Sequence, residues 1–107
     1  MSRTLHYKNV NKKRFECMKS TMRSRVNEFA RIHHYTISVW QVPDKDSGRW
    51  HIKLESNKMN KPGLDFIANV KRSPNNQLTI DLVHMPAFIS TSSAVREVNA
   101  VYNSCSE

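Results

Sequence analysis

Apolar positions recur along residues 12–33 with helical spacing. Phe15, Met18, Met22, Val26 and Phe29 stand three or four residues apart, so they form one stripe of a helix. Asn11, just ahead of them, is a residue type that caps helix starts with its side-chain oxygen. Downstream the period drops to two. Tyr35 to Val42 is rich in β-branched and aromatic residues, residues 43–48 (PDKDSG) read as a loop, and RWHIKLES alternates apolar with polar, which predicts a β-hairpin. The polar connector NKMNKPG, with a turn at Pro62-Gly63, leads to a second hairpin built from LDFIANVK, the loop RSPNN and QLTIDLVH. A last helix is expected to start at the cap cluster Ser90–Ser93 and run through AVREVNAVY, with Ala94, Val98 and Val101 on one face.

The order helix, hairpin, hairpin, helix predicts one α+β domain over residues 1–107. It has a long N-terminal helix, an antiparallel four-stranded sheet covered on one face by helices, and a C-terminal helix. Residues 1–10 are read as a basic N-terminal arm. Overlaying the hairpins aligns Val42 with Val70, Ile52 with Ile80 and Leu54 with Leu82, an echo that two ordinary alternating hairpins produce without a true repeat. Strand parity assigns Trp50, Ile52, Leu54, Leu64, Phe66, Ala68, Val70, Leu78, Ile80 and Leu82 to the core. The second face carries His51, Lys53, Glu55, Thr79, Asp81 and Val83, which makes it the wet working surface.

Length and composition agree with a single modest core: 107 residues, 38% of them apolar. No run approaches the roughly 20 apolar residues that span a bilayer, and MSRTLHYKNV lacks the apolar segment of a signal peptide. The expectation is a soluble, intracellular, cytoplasmic protein with no membrane partner. Cys17 and Cys105 have no metal-type spacing and are too few for a disulfide framework, so they are expected as free thiols.

Charge adds the most to this picture. The net charge is +8, and residues 1–34 hold nine Lys or Arg against Glu16 and Glu28, whereas residues 35–107 hold eight against seven acids. An anionic partner is therefore expected, attracted mainly by the N-terminal third. On a helical wheel, Lys12, Lys19 and Arg23 form a ridge on one side of the apolar stripe, and Arg14 and Arg25 lie on the other. Lys13, Asn27 and Arg31 point outward. Long side chains on such shoulders either lay their methylenes along the core edge or follow phosphates, which need positive charge with reach. Arg23 with Asn27 is the one pair spaced to read base edges.

Other chemistry is thin. Trp40 and Trp50 could stack on bases, but such a pair more commonly packs a core. Two glycines rule out a Gly-rich phosphate loop. His33 and His34 are adjacent, and parity sends His51 and His84 to opposite faces, so no metal site or other cofactor is expected. PDKDSGRWHIK lacks the second acid that a metal-dependent nuclease needs to hold its cation. The sequence thus predicts a small, non-catalytic, regulatory or accessory protein that binds DNA or RNA through Lys12, Lys13, Arg14, Lys19, Arg23, Arg25, Asn27, Arg31, Arg49 and Lys53. The first alternative is a module that binds an acidic protein surface. The second is a metal-free ribonuclease using His51 with Lys53. A hairpin edge left uncovered could also pair with a second copy.

Overall fold

A computed structural model, which describes residues 3–106, arranges the chain as β1 (Arg3–Tyr7), α1 (Lys12–His33), β2 (Tyr35–Gln41), β3 (Ser47–Ser56), β4 (Leu64–Arg72), β5 (Leu78–His84) and α2 (Thr91–Ser104). Asn11 caps α1, its side-chain oxygen accepting the Arg14 N–H at 2.8 Å. At the other end His34 turns left-handed, with φ 63°, and returns its N–H to the Ala30 carbonyl. Lys61 then donates to the exposed carbonyl of His33 at 2.8 Å. Three asparagines, Asn9, Asn60 and Asn76, also take positive φ. A short amide side chain tolerates that conformation better than most. They mark the turns leaving β1, between β3 and β4, and between β4 and β5.

Among the described residues the sheet has five antiparallel strands in the order β1-β5-β4-β3-β2, one more than the sequence pattern predicts. The additional strand comes from the segment expected as a basic arm. Leu5 and Tyr7 point into the core, and Leu5 lies opposite Ile80 of β5. Residues 1 and 2 of that arm lie outside the described residues. α1 therefore links the two edges of the sheet and crosses its inner face.

That inner face is the core. Phe15 and Met18 of α1 pack with Trp50, Val70, Leu78, Ile80, Leu5 and Tyr7, and the Phe15 and Trp50 rings stack at 6.2 Å. Toward the end of α1 a second cluster joins Ala30, Tyr35, Leu54 and Leu64. Fully burying each large apolar side chain contributes about 1.5–3 kcal/mol. Here the helix departs from the predicted stripe: Ala30 is buried, whereas Phe29 is 38% exposed and stacks on Tyr35. Ala30 packs with Tyr35, Leu54 and Leu64 at the position where the stripe expects Phe29.

α2 lies along α1 and β1. Val101 is buried, Val95 and Val98 half-buried, and Tyr7 donates to Asn99 Oδ1 at 2.6 Å. Burial, and then the nearby Tyr102, push the Tyr7 hydroxyl above its ordinary pKa. The expectation of free thiols is corrected: Cys17 of α1 and Cys105, just after α2, form a disulfide across 88 residues of sequence. Folding brings the first half of α1 beside the end of α2. No spacing rule along the chain anticipates that contact.

Candidate nucleic-acid interface

The cations on the shoulders of α1 are largely occupied by neighbouring elements. On one side, the Lys19 ammonium meets Glu16 at 2.8 Å and Asp44 at 3.6 Å, sits 4.6 Å from the Phe15 ring centroid, and its side chain is only 11% exposed. Arg23 lies 4.5 Å over the Trp40 ring. On the other side, Arg14 stacks 3.7 Å over Tyr102 and donates to the carbonyls of Tyr102 and Asn9. Arg25 pairs with Glu97 of α2 at 2.7 Å. Arg31 pairs with Glu28, a hydrogen bond that lowers the Glu28 carboxyl below its usual pKa range. Asn27 is exposed beside this row. The two rails read from the wheel are thus seams between α1 and its neighbours, β2 with residues 42–46 on one side and α2 on the other. Stacking follows the same division. Trp50 is buried and Trp40 is covered by Arg23, so both rings lie on the helix side of the sheet.

A different set of cations is exposed and has no acidic partner among the described residues: Lys12, Lys13, Lys45, Arg49, Lys53 and Lys71. They follow a path. Lys12, in the first turn of α1, lines a shallow cleft with Lys45 and with Glu16, Asp44 and Asp46. Those three acids are engaged, Glu16 and Asp44 by Lys19 and Asp46 by Arg72. Past Lys45, β3 begins at Ser47, whose partner across the ladder is Lys71. Arg49, His51 and Lys53 then alternate along β3 on the helix-free face, each about 6.8 Å from the next. The start of α1 is notable because it holds Lys12, Lys13 and no acid. Positive charge at the positive pole of a helix is unfavourable. These lysines therefore do nothing for the helix, although they cost it little at full exposure.

The same face contains a histidine group that parity alone misses. His51 Nε2 lies 2.5 Å from Asp65 Oδ1. A register shift in the β4–β5 ladder between Ile67 and Ala68 sets His84 opposite Ile67, and Ile67 is itself opposite His51. Directly opposed residues share a face, so His51 and His84 lie in one row rather than on the opposite faces expected from uninterrupted alternation. Asp81, also on this face, accepts from Thr4 at 3.3 Å. Among the described residues no group of His, Cys, Asp and Glu could hold a metal ion, and no helix is long and apolar enough to cross a membrane.

Comparison with protein-family models, curated proteins and solved structures yields no match for this chain.

Proposed function

We propose that the protein binds nucleic acid without acting on it chemically, gripping the phosphate backbone through Lys12, Lys13, Lys45, Arg49, Lys53 and Lys71. One observation carries this reading: Lys12 and Lys45 line one cleft, Lys71, Arg49 and Lys53 follow along β3 and β4, and these cations, with Lys13 next to Lys12 in the chain, are exposed and without an ion pair among the described residues, while Glu16, Glu28, Asp44, Asp46 and Glu97 are held by other Lys or Arg side chains. Phosphate recognition asks for such an arrangement, since it requires charge with reach rather than a shaped pocket. Among the described residues the helix-free face presents Val39, Ile67 and Val83 but no Phe, Tyr or Trp. Base stacking there is left to the imidazoles of His51 and His84, and the binding is expected to be weakly dependent on sequence. The shoulder residues Arg14, Lys19, Arg25 and Arg31 become secondary contributors. A comparison of labelled single-stranded RNA, single-stranded DNA and duplex DNA at two salt concentrations tests the proposal. Absence of binding to all three at low salt refutes it.

A second reading is favoured by the His51–Asp65 pair with His84 in the same row. In a metal-free RNA cleavage, one imidazole takes the proton of the attacking 2′-hydroxyl and another protonates the departing 5′-oxygen. Fragments ending in a 2′,3′-cyclic phosphate, lost in His51→Ala, would replace the non-catalytic reading with this one.

A further inference from the structure

β2 ends the sheet, so among the described residues no strand lies on one side of Tyr35–Gln41. Natural edge strands are blunted by charged side chains, above all lysine, by proline or by β-bulges, because their free N–H and C=O groups otherwise template pairing with another chain. YTISVWQ contains neither charge nor proline. Its one interruption is the register shift between Ile37 and Val39. The opposite edge, β1, carries Arg3 in its own strand.

The surroundings of this edge indicate what could occupy it. On the helix side, Arg23 lies over Trp40 and Lys61 lies 4.2 Å over the Tyr35 ring. On the other face Lys53 stands opposite Val39 and His51 opposite Gln41. The nearest acid on β3 is Glu55, opposite Thr36 at the other end of the strand. A chain laid against β2 sends its alternate side chains to both faces. Near Val39–Gln41 those side chains would meet Arg23 on one face and Lys53 on the other. A second copy of this protein is a poor occupant. Each molecule carries +8, and two-fold pairing of β2 with itself would bring two such cationic margins together.

From this we infer that β2 is a docking edge for an extended acidic polypeptide segment, taken up by strand addition. Main-chain hydrogen bonds to Thr36–Gln41 supply affinity, and Arg23 and Lys53 select acidic side chains on the two faces. The site differs from the phosphate-binding path in requiring backbone pairing, which charge alone does not provide.

The test uses the intact protein labelled with nitrogen-15 and a synthetic peptide rich in Val and Thr that carries glutamates on both faces of an extended strand. Binding should shift the amides of residues 36–41 and slow their hydrogen exchange. The same peptide N-methylated at alternate residues keeps its charge but cannot pair, so it should not bind. A lysine version should also fail. Arg23→Gln combined with Lys53→Gln, with the fold checked by its amide spectrum, should weaken binding about tenfold. The inference is overturned by equal binding of the N-methylated peptide, by shifts confined to Lys12, Lys13, Arg49 and Lys71, or by no binding at all. It is equally overturned if β2 is protected by self-association without peptide, seen as a dimer in sedimentation. None of these outcomes depends on nucleic acid.

Discussion

Replacing Cys17 by serine tests how α2 is held. Cys17 is the better choice because it is exposed, whereas Cys105 is only 1% exposed and a serine there would bury a hydroxyl. The disulfide closes a segment of 88 residues. Removing it restores to the unfolded chain a loop-closure entropy of about 4.5 kcal/mol at 25 °C, an upper value because reduced chains keep some structure. For a domain of about this size that corresponds to a fall in melting temperature of about 20 °C. The loss should concentrate at α2, which buries Val101, half-buries Val95 and Val98, and is otherwise held by the Tyr7–Asn99, Arg14–Tyr102, Tyr102–Lys8 and Arg25–Glu97 contacts. Thermal unfolding followed by circular dichroism, with and without reductant, gives the magnitude. Hydrogen exchange at residues 94–104 gives the location. Reductant should destabilise the wild type and leave Cys17→Ser unchanged. Equal melting temperatures for wild type and variant under oxidising conditions would refute the account of the bridge.

Three further outcomes follow from the same contacts. Asn11→Ala removes the acceptor for the Arg14 N–H and should cost about 1 kcal/mol, measured by urea denaturation, while Asn11→Asp should retain most of the stability. Gly63→Ala places a methyl group 2.6 Å from the Leu54 carbonyl oxygen, so strands β3 and β4 must shift, and the expected loss is about 1–3 kcal/mol. Tyr7 has its pKa raised in the folded protein, so its contribution to stability is complete below the unfolded value near 10 and is lost as pH rises toward the folded value. Tyr7 should therefore ionise late in an alkaline absorbance titration, and Tyr7→Phe should abolish that late phase.

Much of the architecture is legible in local patterns. α1 is announced by five apolar residues at helical spacing behind a capping asparagine, and the two hairpins by alternation broken at proline and glycine. β1 escapes because five residues with only Leu5 and Tyr7 facing inward are too few for a period, and the partner strand lies far along the chain. The Cys17–Cys105 bridge escapes for the same reason. The candidate interface was half visible. A helical wheel places Arg14, Lys19, Arg23 and Arg25 on the shoulders of α1, but which element covers each shoulder is a tertiary fact, and Glu97, Tyr102, Trp40 and Asp44 supply it. Conversely Lys45 and Lys71 look unremarkable in sequence and gain interest only through their place beside Lys12 and Ser47. Parity misplaced His84 because one bulge reverses every assignment beyond it.

The central claim is that six exposed cations, rather than Arg14, Lys19, Arg23 and Arg25 on the shoulders of α1, meet phosphate. Titration of labelled nucleic acid between 50 and 200 mM salt addresses it most directly. If all six engage, log affinity should fall against log salt with a slope of about −4 on single strands or −5 on duplex DNA. Arg49→Gln with Lys53→Gln and Lys71→Gln should flatten that slope by about 2 to 3. Lys19→Gln should leave it unchanged. A triple variant that keeps the full slope, or a wild-type protein that binds neither strand form at 50 mM salt, would contradict the account.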